Sequence, residues 1–468
     1  MPQTASGGTA HRLLRRVVDV EPGEVRALVL ACLYFFFTFF SYFVLRPIRD
    51  EMAVASGVRS LPWLFAGTLS ATLVAHPLYA ALVVRFPVKR FVGLTYQFFA
   101  ANLVGFYVAA RLGVDPVWTG RVFFVWTSVF NMFVVSVFWS VMADTFRSGQ
   151  AKRLFAFIGV GGTLGSLAGS AATALLVERL GVANLLLVSA AMLETAYLLV
   201  IAFPAGAAAA APGDDETTTT VHGAAAAERQ VIGGSVWAGV THVARSPYLL
   251  GIAVFLVIYT LGSTVLYFAQ TEIIGAHYES REVRTAVLAR MEFATQLLTA
   301  VVQAFVAGRI IRWFGVGAAL AVMPALSVVG FAALGATAWG VTPALATFVV
   351  LSVLRRASEF SISKPAREVL YTVVRREDKY KAKSLIDTFV YRGGDQIGAW
   401  GYALVATTLG LGAAGAAWVA VPLSAGWLAI ALWLGFRQRQ MARERVGGEH
   451  RWAPDYLAPF GTSNFRTS

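Results

Sequence analysis

This 468-residue chain has one cysteine, Cys32, six histidines and a charged fraction of only 14%. A lone cysteine excludes an intramolecular disulfide, and in an apolar run it reads as a small buried hydrophobe. No HExxH, CxxC or nucleophile-elbow pattern occurs in the sequence. No catalytic residues, metal ligands or cofactor are therefore expected, and the chain does not read as an enzyme. The run from Gly159 to Gly169 has neither the Gly-Lys-Ser/Thr ending nor the preceding strand of a phosphate loop. Its Gly161, Gly165 and Gly169 recur every four residues, which predicts a close-packing seam between helices. Residues 1–23 show no apolar core ending in a small-residue cleavage site, so the first apolar span is expected to direct insertion.

What the chain has in excess is apolar sequence. It is 57% hydrophobic with a mean hydropathy of +0.64, the composition of a polytopic helical membrane protein. Runs long enough to span a bilayer, about 20 residues each, fall near 25–48, 61–84, 89–111, 117–143, 153–177, 182–203, 248–272, 287–311, 316–337, 342–366, 382–410 and 415–436. The interruption at 204–247 is rich in alanine, threonine and acidic residues and reads as a linker, with 235–245 as a short interfacial helix. The predicted organisation is thus an N-terminal tail (1–24), a six-helix bundle (25–203), the linker (204–247), a second six-helix bundle (248–436) and a C-terminal tail (437–468). Six plus six around a long central loop predicts an all-α polytopic membrane protein of major-facilitator type, its twelve transmembrane helices related by a pseudo-twofold along the membrane normal.

The net charge of +13 follows from lysine and arginine gathered at alternate loops, as at Arg85, Lys89, Arg90, the 375–383 cluster and 437–451. The opposite loops hold only Arg59, Arg111, Arg121, Arg179, Arg281, Arg284 and Arg290. By the positive-inside rule both termini are expected to be cytoplasmic. The charge therefore needs no nucleic-acid partner. A bacterial inner membrane, a small-molecule substrate and a monomeric state complete the expectation.

Ionisable residues inside or beside the spans are the candidates for function, because such groups are costly in hydrocarbon and mark pathways. Span eleven carries Lys383, Asp387, Tyr391 and Asp395 every four residues, one stripe on an α-helix. Arg392, three residues before Asp395, is placed to pair with it. Span ten repeats the pattern with Arg355, Glu359, Ser363 and Arg367, flanked by Arg356, Lys364 and Glu368. Span one ends in Arg46, Arg49, Asp50 and Glu51; span eight adds Glu292 and Gln296, and span four Asn131. Cations and acids nearly balance. The residues alone therefore leave two classes open: an anion carrier, or a proton-coupled facilitator of a smaller, possibly anionic solute with Glu292, Glu359, Asp387 or Asp395 carrying protons.

Three segments resemble a known family. Tyr42-Phe-Val-Leu-Arg-Pro-Ile-Arg-Asp-Glu51 is similar to the Leu-Arg-x-x-Lys/Arg-Asp element of the non-mitochondrial ATP/ADP translocases of plastids and intracellular bacteria. Val134–Asp144 followed by Ala151-Lys-Arg-Leu-Phe-Ala156, and Ser361–Tyr371 followed by Lys381–Asp387, resemble two more of its segments. The resemblance implies nucleotide exchange by alternating access. It implies that Arg49 replaces a transport lysine, that Lys383 retains another, and that Arg367, Glu368 and Asp387 match. Arg46, Arg49, Arg367, Lys383 and Arg392 are then expected to contact phosphate, with Asp387 holding Lys383 or Arg392. Two positions depart from the pattern: Ser128 stands where the family has glutamate, and Asp395 where it has lysine.

Overall fold

A bilayer forbids unpaired backbone groups, so a chain this apolar must fold as helices or a closed barrel. The computed structural model describes residues 20–21, 23–203, 243, 246–374, 382–383 and 385–449, and these form helices joined by short connections, without a strand. The expected interfacial helix at 235–245 lies, Val243 apart, outside the described residues.

The N-terminal half holds α1 (Val25–Ser56), α2 (Leu61–Arg85), α3 (Val88–Arg111), α4 (Pro116–Thr145) and a continuous element, Ser148–Ile201. Gly181 breaks that element at φ 78°, ψ 158° into α5 (148–180) and α6 (182–201). A β-carbon disfavours such a backbone, and glycine does not carry one. The C-terminal half holds α7 (Pro247–His277) and α8, which begins at Arg281 and runs on through a π turn at Gln303–Ala307. Gly315, at φ 81°, then separates α8 from α9 (316–335). α10 is Ala344–Ser358 continued through a π turn, Glu359–Ser363, into Lys364–Leu370. α11 enters by a π turn at Ile386–Val390, is regular over Tyr391–Tyr402 and widens again at Ala403–Thr408. α12 is Gly412–Glu449. Side-chain oxygens of Asp115, Ser246 and Ser280 cap α4, α7 and α8 by accepting first-turn N–H groups.

Among the described residues eight helices are long and apolar enough to cross a membrane, and two of these are the pairs divided at Gly181 and Gly315. With the more polar α10 and α11 this accommodates the twelve expected spans. Several boundaries differ from the sequence reading. α1 runs on to Ser56, carrying Arg46 through Glu51 within the helix. The gap read between spans eight and nine, 312–315, is helical up to Gly315. α12 continues past 437, the expected start of the tail.

Within the first half α1 lies along α5. A β-carbon on Gly161, Gly165 or Gly169 would collide with the backbone carbonyl oxygens of Cys32, Phe36 and Phe40 respectively. The four-residue glycine repeat thus faces a four-residue repeat of α1 backbone. The halves meet where α1 packs against α7 and α8 and where α2 packs against α11. A further contact sets α5 against α8, where Ser166 donates to Gln296 at 3.5 Å. An apolar cluster of Ala53, Leu61, Leu64 and Phe124 with Phe268, Ala399 and Tyr402 seals the halves at the end away from the termini.

The seam gives a direct expectation. Gly165→Ala should lower the stability of the purified protein by about 1–3 kcal/mol, the cost of overpacking. Gly159→Ala, where a β-carbon meets nothing within 4 Å, should leave the melting curve unchanged.

Candidate functional site

A polar chamber of about 260 Å³ lies where α1 and α2 of the first half face α7, α10 and α11 of the second. Its wall includes Arg46, Arg49 and Asp50 from α1, Tyr259, Ser263, Tyr267 and Gln270 from α7, Arg355, Arg356 and Glu359 from α10, and Tyr391 and Asp395 from α11. A side chamber of about 100 Å³ shares Arg49, Phe65 and Asp395 with it and adds Arg392, Gln396 and Thr68. The two walls together carry five arginines against three carboxylates.

The arginines are held in different ways. Glu292 of α8, 2% exposed, accepts Arg46 of α1 at 3.1 Å and Arg356 of α10 at 2.5 Å. Gln296 donates to the same carboxylate at 2.8 Å. A buried carboxylate costs several kcal/mol in lost hydration unless it is well paired, and these three donors supply the pairing. Arg46 and Arg356 each keep a fifth to a quarter of the side chain open, so both retain N–H groups for a ligand. Arg355, 2% exposed, has no carboxylate partner among the described residues. It donates instead to Ser327 Oγ, Ser263 Oγ and the Tyr259 carbonyl, each at 3.0 Å, and lies within 6 Å of the Tyr259, Phe331 and Trp427 ring centroids. Its charge is fixed in place without being neutralised.

Arg49 sits 3.7 Å from Asp50 and 4.1 Å over the Phe124 ring. Asp50 in turn accepts Tyr267 Oη of α7 at 2.9 Å. The expected pair of Arg392 with Asp395 does not form: both side chains face the side chamber, and neither has an ion pair among the described residues. The π turn at Ile386–Val390 precedes them, so the four-residue stripe of span eleven does not stay on one face. Its members separate, with Tyr391 and Asp395 at the chamber and Lys383 and Asp387 away from it.

Lys383 bonds Glu368 at 2.6 Å and lies over the Tyr371 ring. The expectation that Asp387 holds Lys383 or Arg392 is thereby corrected, since Asp387 is exposed with no ion pair among the described residues. Arg367 pairs with Glu359 at 3.6 Å across the π turn of α10. It stands behind the carboxylate rather than on the wall. Lys364 and Glu368 are exposed, and Asn131 is half-buried off the wall. Of the six expected ligand residues, the chambers thus gather Arg46, Arg49 and Arg392. Arg367, Lys383 and Asp387 lie nearer the end that carries the termini.

The sequence reading passed over α7. Tyr259, Ser263 and Tyr267 recur every four residues in an otherwise apolar helix, the same periodicity that singled out spans ten and eleven. It also left Arg281 and Arg284 as loop charges. Both bond the fully buried Glu51, at 2.8 and 2.9 Å, and so tie α8 to α1. With Arg46–Glu292 and Arg290–Glu178, four ion pairs clamp the halves toward the end away from the termini.

Residues 63–439 match the family described as TLC ATP/ADP transporter. Among curated proteins, ADP,ATP carrier protein 1 of Chlamydia pneumoniae is 23% identical over 438 residues, covering 81% of this chain and 84% of that one. Its counterpart in Chlamydia trachomatis is 21% identical, covering 79% and 80%. Among solved structures, the nucleoside transporter NupG superposes with a TM-score of 0.55 at 14% identity, covering 90% of this chain and 98% of its own. A D-xylose–proton symporter does so with a TM-score of 0.58 at 14% identity, covering 87% and 96%. The fold is that of the major facilitator transporters.

The clamp at Glu292 is measurable. Glu292→Ala strands two largely buried cations and should cost about 3 kcal/mol. Glu178→Ala, in a pair more than half exposed on both sides, should cost no more than about 1 kcal/mol. Thermal unfolding in one detergent compares the two.

Proposed function

Because this chain belongs to the TLC ATP/ADP transporter family, we propose that it exchanges adenine nucleotides across the membrane by alternating access. The observation that supports this reading is the excess of arginine on the chamber wall. Guanidinium groups bind phosphate oxygens in pairs, and the five wall arginines still exceed the three wall carboxylates with Glu292 counted behind them, an excess that a polyphosphate would meet. Arg49, common to both chambers and with its Nε unpartnered, is the arginine assigned first to phosphate. Arg46, Arg356 and Arg392 are assigned to flank it, and Arg355 to supply a fixed positive field. Tyr259, Tyr267 and Phe65 offer rings for a base.

On this reading the protein works as a monomer in a bacterial inner membrane with both termini cytoplasmic. The clamped end then faces outward, and substrate enters from the cytoplasmic end past Lys383, Glu368, Lys364, Asp387 and Arg367. Breaking Glu51 from Arg281 and Arg284 is the step that opens the outer side.

A second reading, proton-coupled carriage of a smaller solute, has two observations behind it. The main chamber, at about 260 Å³, is smaller than the usual ligand pocket of about 300–1,000 Å³. Glu359, 5% exposed, has one oxygen without a hydrogen-bond partner.

Proteoliposomes separate the two. An exchanger takes up labelled ADP only when preloaded with ATP or ADP, and a pH gradient alone drives no uptake. Arg49→Ala should reduce that exchange by roughly ten- to a hundredfold, the loss of a charge-assisted hydrogen bond. Uptake driven by a pH gradient without counter-substrate, and abolished by Glu359→Gln, would establish the second reading instead.

A further inference from the structure

We propose that a groove on the lipid-facing side of the first half holds one anionic phospholipid. The groove, about 830 Å³, is cut between the α1–α2 turn and α4 at the end away from the termini. Its composition changes with depth. Arg59 and Ser60 are in the turn, and Arg121 lies five residues inside α4, about 8 Å from its start at 1.5 Å per residue. Below them come Val122, Val125 and Trp126, the last about 15 Å in. A phospholipid has this same profile, with phosphate at the interface and acyl chain beneath.

The upper wall lacks an anion. Arg121 stacks over Trp118 at 4.9 Å, yet its Nε is buried without a hydrogen-bond partner, as is the indole N–H of Trp126. Arg59 has no ion pair among the described residues. No carboxylate lines the groove, so the two cations are matched by none of its own residues. A lipid phosphate satisfies them and meets a tryptophan-lined interface of the kind that such rings favour. A zwitterionic headgroup brings its own cation to the same place and is therefore disfavoured. The seated lipid adjoins Trp63, whose ring meets Trp400 of the second half edge-on at 5.3 Å, so it lies beside the α2–α11 seam.

Native mass spectrometry of the full chain, with phosphatidylglycerol and phosphatidylcholine offered at equal mole fraction, tests the assignment. Wild type should retain one phosphatidylglycerol in preference to phosphatidylcholine. Arg59→Gln, on an exposed turn where folding is not at stake, and Arg121→Gln should each weaken that retention roughly tenfold. The double variant should lose the headgroup preference, and Val122→Trp should reduce binding of both lipids by filling the chain groove. Glycerol phosphate, which has no chains, should not displace the lipid at equal concentration. Equal retention of the two lipids by wild type, undiminished phosphatidylglycerol on the double variant, or displacement by glycerol phosphate would each overturn it.

Discussion

The Glu292 carboxylate is the interaction on which the centre of this molecule depends. It lies in a region that water barely reaches, and it binds one guanidinium from each half, Arg46 of α1 and Arg356 of α10. The low dielectric there makes a paired charge strong and an unpaired one very costly. That arrangement sets the chamber wall: it places two partly open arginines facing the cavity, beside Arg49, Arg355 and Arg392 and the carboxylates of Asp50, Glu359 and Asp395. Alternating access requires such ion pairs between the halves to be made in one state and broken in another.

The other ionic contacts fall into place around it. Glu51, fully buried, receives two arginines from the start of α8, and Asp50 receives Tyr267. These sit above the chamber with the apolar seal of Leu64, Phe124, Phe268 and Tyr402. The pairs Lys383–Glu368 and Arg367–Glu359 lie within the second half, so they do not hold the halves together. One end of the molecule is thus latched by ion pairs between the halves, the other carries the charged pairs within the second half, and the chamber lies between.

Much of this was legible in the sequence, for reasons that can be named. Apolar run length marks spans because the bilayer has a fixed thickness, and the glycine repeat of α5 marks a seam because its partner is backbone. The charges of α1, α8 and α10 were legible because ionisable groups are rare at such depth. What the sequence hid was phase and partner. A π turn adds a residue to one turn and rotates everything beyond it, so the α11 stripe divides between two places; Arg392 and Asp395, both beyond that turn, line the side chamber without pairing. Nothing local signals such a turn. Partners distant in sequence were equally hidden: Glu51 with Arg281 spans 230 residues, and Lys383 chose Glu368 over the nearer Asp387. The polar rows of α7 were visible but carry no formal charge, and they passed as ordinary tyrosines and serines.

The central claim is that an arginine-rich chamber between the halves binds phosphate. Calorimetric titration of the purified protein with adenosine, AMP and ADP tests it most directly. Affinity should climb at each added phosphate by about tenfold, as each brings a charge-assisted contact, and Arg49→Ala should flatten the climb. Equal affinity for adenosine and ADP, or a climb untouched by Arg49→Ala, would contradict it.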